Sequence, residues 1–138
     1  MANEKLFYRG QAAMDQIENS GWFLGQFVPE GIGLRHQTDV ELKWGMHKDG
    51  ERRSAPWATG VSTTVAILIR GALKVEFYVD ETPQVVTLDK EGDYVVYGPD
   101  VAHSWEAIGD ALVLTVRFPS VEVRNAAPTN GARDADAP

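Results

Sequence analysis

Gly92-Asp-Tyr-Val-Val-Tyr-Gly-Pro-Asp-Val-Ala-His103-Ser-Trp105 reads as a strand, a tight turn and a second strand that opens on a histidine. Asp93 to Tyr97 is a short run of aromatic and β-branched residues, which pack well on a pleated sheet. Gly98-Pro99-Asp100 breaks the ladder, because proline lacks a donor and glycine tolerates unusual dihedrals. His103 and Trp105 are two apart, so on a strand they share a face. An imidazole beside an indole, directly after a rigid turn, points to a concave site rather than a solvated surface.

The same alternation runs outward in both directions. Trp22 to Val28 is a predicted strand. In Val40 to Met46, Val40, Leu42, Trp44 and Met46 point one way and Glu41, Lys43 and Gly45 the other, which places Trp44 in the core with Leu42 and Met46. Thr63 to Ile69 is apolar on both faces. Leu73 to Val79 follows, and a hairpin over Arg70-Gly71 is the natural connection. Gln84 to Leu88, Tyr94 to Tyr97, Ala102 to Ala107 and Ala111 to Phe118 complete the series. In the last strand Leu112, Leu114, Val116 and Phe118 oppose Val113, Thr115 and Arg117. Evenly spaced short strands with turn signals predict an all-β antiparallel sandwich or barrel. The helix candidate is Gln11 to Asn19, short enough to need tertiary support. Asn125 to Pro138 carries no large apolar residue and reads as a disordered tail.

Composition bounds the function. The 138 residues suit one domain, with 1–35 as an N-terminal arm, short helix and strand, 36–124 as the barrel and 125–138 as the tail. A net charge of −7 argues against nucleic-acid binding. The absence of cysteine removes disulfides, thiolate metal sites and a cysteine nucleophile, and fits a reducing cytoplasm. Neither a secretory h-region nor a membrane-length apolar run is visible. No Gly-x-Ser-x-Gly elbow or phosphate loop is present. Ser104 adjoins His103 but points to the opposite face, so the two form no nucleophile–base pair.

Gly92 to His103 resembles the second motif of the cupin superfamily, small jelly-roll β-barrels. That motif runs Gly, five residues, Pro, one residue, Gly, two residues, His, three residues, Asn. Here the turn is Gly98-Pro99-Asp100, and Ala107 stands at the asparagine. The first motif ends with Glu, six residues, then Gly. Gly71 fits the glycine, which puts Thr64 at the glutamate, and the His-x-His pair would fall near Trp57 to Gly60, where neither histidine is present. Small single-domain bacterial cupins with His-x-x-Gly-Glu before a Thr-Thr strand are similar, as in His47 to Glu51 and Thr63-Thr64. The resemblance implies a cupin barrel and a homodimer in which an N-terminal strand or barrel face covers the partner's sheet edge.

The candidate site follows from these residues. A ligand pocket would be built from His47, Tyr97, His103 and Trp105, with Trp57 as a lid at the mouth or a dimer contact, and with Arg117 as an anion anchor if its face is the inner one. Catalytic candidates for metal-free proton transfer are His103 with Glu51 or Tyr97. A metal-dependent dioxygenase, isomerase or cyclase would instead use His47, Glu51 and His103 to hold a divalent ion (Fe, Mn, Zn or Ni), a two-histidine, one-carboxylate set. Because the glutamate and the His-x-His pair are missing, a barrel that binds a small molecule without metal is the preferred reading. A non-catalytic structural or regulatory cupin, with a filled barrel, is the third. Glu41 beside His47 would raise that imidazole's pKa. His36 reads as an edge or solvated histidine.

Overall fold

The computed structural model describes residues 6–53 and 55–121. The predicted tail, 125–138, lies outside them. Six strands follow a short helix: α1 (Ala12–Asp15), β1 (Trp22–Leu24), β2 (Glu41–His47), β3 (Thr63–Phe77), β4 (Gln84–Leu88), β5 (Tyr94–Tyr97) and β6 (His103–Phe118). β3 and β6 are the long members and pair antiparallel from Thr63↔Phe118 to Phe77↔His103. The N-terminal half of β3 takes β5 on its other edge, and the C-terminal half takes β4. The C-terminal half of β6 takes β2, which takes β1. The first half of β6 is edged by backbone bonds at Glu51, Arg53 and Trp57: Ala107 N–H to Glu51 O, Arg53 N–H to Trp105 O and a reciprocal Trp57–His103 pair. Two sheets sharing two long strands roll into an antiparallel jelly-roll.

The corner lies at Gly71. Pairing of β3 with β6 shifts register between Leu68 and Ala72. Gly71 has φ +92°, and any Cβ there would run into the Asp110 carbonyl oxygen and Ala111 Cα. Only glycine lets the two backbones touch in that conformation. The expected Arg70-Gly71 hairpin is therefore replaced by a bend: β3 passes straight through, and on the partner strand the two predicted segments of β6 are one. A bulge with a positive-φ glycine turns a strand between sheets as readily as it closes a hairpin.

Two further expectations shorten. The predicted helix is one turn of α-helix followed by a 3₁₀ turn at Ile17–Asn19, with no buried residue in either. The first strand stops at Leu24, because Gly25, at φ +155°, leaves the ladder.

The apolar core is Ala66, Leu68, Leu73, Val75, Phe77, Leu88, Trp105 and Val113. In β2, however, the buried face is Glu41, Lys43 and Gly45, while Met46 is 53% exposed and Leu42 and Trp44 are half-buried. Trp44 thus lies on the outer face, contrary to expectation. Alternation separates two faces without saying which one is inside. Here the polar face turns inward because its charges find partners there.

Candidate functional site at the barrel centre

Three strands bring polar side chains to one interior cavity of about 30 Å³, and a fourth helps to close it. β2 supplies Lys43 and His47, β5 supplies Tyr97, and β6 supplies His103, Trp105 and Thr115; Ala66, Leu73, Val75 and Val113 close it. Gly45 makes room on the inner face of β2: a Cβ there would stand 2.8 Å from His47 Nε2. Lys43 and Thr115 were missed in the sequence. The signal that reveals Lys43 is the set Glu41, Lys43, Gly45, His47 at period two, once that face is recognised as inner.

His103 is 1% exposed. Its Nδ1 lies 3.1 Å from the Val101 carbonyl, and its Nε2 lies 3.1 Å from the Tyr97 hydroxyl. A carbonyl only accepts, so Nδ1 carries the proton, Nε2 is bare and the Tyr97 hydroxyl donates to it. Burial, with Arg53 and then Arg117 adding positive field against a helping bond to Val101, lowers the His103 pKa to about 3. Burial raises the Tyr97 pKa. The pair is thus a neutral phenol on a neutral imidazole, locked in one tautomer.

His47 lies at 4.4 Å centroid distance from the Trp105 ring. Its Nδ1 is 3.5 Å from Glu51 Oε1. Burial and then Lys43 lower its pKa to about 4, outweighing the opposing pull of Glu51. The expected rise from Glu41 does not occur, because Glu41 is at the far end of β2 and is held elsewhere. Glu51 also accepts from Lys48 N–H at 2.9 Å and does not line the cavity. His47, Glu51 and His103 do not converge: among the described residues no group of three histidine or acidic side chains could hold a metal ion.

Beneath the cavity lies a stack of cations and indoles. Trp57 is 2% exposed, so it is neither lid nor surface contact. Its segment pairs with β6 and carries the indole inside. The Arg117 guanidinium lies 4.6 Å from the Trp22 ring and 5.4 Å from Trp57; Arg53 lies 5.6 Å from Trp57, and Lys43 Nζ 5.8 Å from Trp22. All four are within cation–π range. Arg117 Nη1 donates to Glu41 Oε2 at 2.9 Å, and Ser120 Oγ donates to Glu41 Oε1 at 2.7 Å. The Arg117 face is the inner one, as its anchor role requires, but the side chain sits behind the cavity. His36 is half-buried, with Nδ1 2.6 Å from the Val28 carbonyl, far from solvent freedom. The stretch expected to hold the first two ligand histidines sends Trp57 and Thr59 into the buried interior, and Thr64 stands at the glutamate. An indole, two hydroxyls and one imidazole do not make a transition-metal site.

No family model matches the sequence, and no curated protein matches it. Solved structures do. KdgF from Halomonas sp. superposes with a TM-score of 0.55 at 20% identity, covering 64% of this chain and 77% of that one. Oxalate decarboxylase from Bacillus subtilis superposes with a TM-score of 0.56 at 22% identity over 66% of this chain. The match spans only 24% of the decarboxylase. With the jelly-roll topology, the likenesses to KdgF and oxalate decarboxylase, at 20% and 22% identity, show that the chain has the cupin fold.

Proposed function

We propose that this cupin binds a small molecule without a metal, taking an anionic or carbonyl head group into the cavity lined by Lys43, Tyr97, His103 and Thr115. The observation that carries the reading is Lys43, 4% exposed and yet lining the cavity. Its positive charge is felt at the cavity, where it helps lower the His47 pKa, and it favours negative charge there, since interior charge attraction is poorly screened. Arg53 and Arg117 add to the same field, as their effect on His103 and Tyr97 attests. Two neutral imidazoles neither compete for the anion nor repel it.

Size constrains the ligand. A cavity of about 30 Å³ has room for one or two waters at roughly 15 Å³ each. Drug-sized ligands fill roughly 300–1,000 Å³. The fit is to a head group of a few atoms. Tyr97 supplies a hydroxyl held in place by His103, and a proton could pass between them only by forming an imidazolium against its low pKa.

Mn(II) centres are described for the Bacillus subtilis decarboxylase. The donor set here departs from such a centre. The test pairs elemental analysis of untagged protein with titration of acetate and of acetamide, its neutral isostere, followed by amide NMR. Expected are metal-free protein, acetate-dependent shifts near His103 and loss of those shifts in Lys43→Met. Stoichiometric metal removed by His103→Ala, or acetate binding unchanged in Lys43→Met, overturns the proposal.

The small cavity and the cation–indole stack favour a second reading, a non-catalytic barrel that acts through its surface. It predicts that neither acetate nor acetamide binds.

A further inference from the structure

A second concavity lies on the outer face of β3 and β6. Val75 and Trp105 are buried toward the barrel, so period two turns Lys74, Glu76, Ser104 and Glu106 the other way. With Arg52 and Tyr78 they line a cleft of about 270 Å³, against about 30 Å³ for the barrel cavity. Two rows cross it. Arg52, Glu106 and Lys74 are successive partners across the edge segment, β6 and β3. Ser104 and Glu76 are partners in the next row.

Charge alternates along the first row. Opposite charges directly across strands ordinarily attract and pair. Among the described residues, however, Arg52, Lys74 and Glu106 form no ion pair. The second row is held in one arrangement. Tyr78 Oη donates to Glu76 Oε1 at 2.8 Å. A phenol has one proton, so Ser104 Oγ, 3.0 Å from the same oxygen, donates to it. Arg53 also borders the cleft but is buried and stacks on Trp57. The charges on the outer face are therefore balanced, Arg52 and Lys74 against Glu76 and Glu106.

We propose that this cleft binds a small zwitterion, with an ammonium at one end and a carboxylate at the other. A simple anion would meet Glu76 and Glu106, and a simple cation would meet Arg52 and Lys74; like charges brought together cost affinity. An uncharged ligand would displace water from four charged groups without replacing its hydrogen bonds. A zwitterion satisfies both signs, its carboxylate held by Arg52 and Lys74 and its ammonium by Glu76 and Glu106. Neighbouring strands ~4.8 Å apart set the spacing of the opposite charges. A three-methylene chain separates ammonium from carboxylate by about 5 Å. The volume suits such a molecule, since drug-sized ligands begin at roughly 300 Å³. The site is separate from the head-group site in the barrel, so either can fail alone.

Amide NMR of the full chain, titrated with 4-aminobutanoate, butanoate and butylammonium, tests this. Expected are saturable shifts at Lys74, Glu76 and Tyr78 with 4-aminobutanoate, and binding about tenfold weaker for either singly charged probe, the loss of one charge-assisted contact. Lys74→Met and Glu106→Gln should each weaken 4-aminobutanoate by about tenfold for the same reason. Circular dichroism checks their fold, and should either misfold, the three probes compared on wild type decide the matter. Absence of saturable shifts, equal binding of all three probes, or binding unaltered in both folded variants overturns the proposal. So does loss of the shifts in folded Lys43→Met, which would place the probe in the barrel.

Discussion

Acidification should unfold this protein through its two cavity histidines. Unfolded, each imidazole takes a proton near pH 6.5. Folded, His47 stays neutral down to about pH 4 and His103 down to about pH 3. Between those limits the unfolded chain binds more protons than the folded one, so stability falls as pH falls. At pH 5 each unfolded imidazole is almost fully protonated and each folded one almost fully neutral. Each then withdraws about 2 kcal/mol relative to pH 7, and the two together about 4 kcal/mol. With a urea dependence of roughly 2 kcal/mol per molar, the midpoint should drop by about 2 M. Urea titrations at pH 7, 6 and 5 read this directly. His47→Gln and His103→Gln should each remove about half of the pH dependence, whatever they cost at pH 7. A midpoint that stays level from pH 7 to 5, or a slope untouched in both variants, refutes the reasoning, because it would mean the rings are not held neutral by burial.

Other outcomes follow from single contacts. Gly71→Ala should cost about 2–4 kcal/mol by thermal unfolding, because a Cβ meets the β6 backbone at a positive φ. Gly109→Ala, at φ +74° with open space around its Cβ, should cost only about 1 kcal/mol, so equal losses at the two sites would discredit the corner argument. Glu41→Gln removes the carboxylate 2.9 Å from Arg117 in a buried setting. Breaking such a pair costs about 3–5 kcal/mol. A loss below about 1 kcal/mol in denaturant titration would show that the pair is solvated.

Legibility in the sequence divided along physical lines. His103 and Trp105 were readable, because a rigid turn fixes the strand start and spacing of two fixes the shared face. The faces of β2 were not, since the same alternation fits either orientation and apolar residues usually go in. Gly71 was readable as a turning point but not as a bend, because a hairpin and a corner ask the same of a glycine. Trp57 was expected as a lid at the mouth or a dimer contact. Its inward course depends on pairing with β6, a long-range contact that local pattern does not encode. Arg117 could be placed only conditionally, and Glu41, its partner 76 residues away, was assigned to the wrong neighbour.

The inward charges and the outward hydrophobes of β2 need separate explanations. Period two obliges Leu42, Trp44 and Met46 to face outward once Glu41, Lys43 and His47 face the barrel. It does not oblige them to be apolar. A strand with polar residues on both faces would serve the cavity equally well and would resist aggregation better. The neighbouring strands repeat the choice, since Val65 and Ile67, Leu114 and Val116, and Val96 continue the rows at positions that do not reach the cavity. Sequence cost without benefit inside the barrel implies benefit outside it.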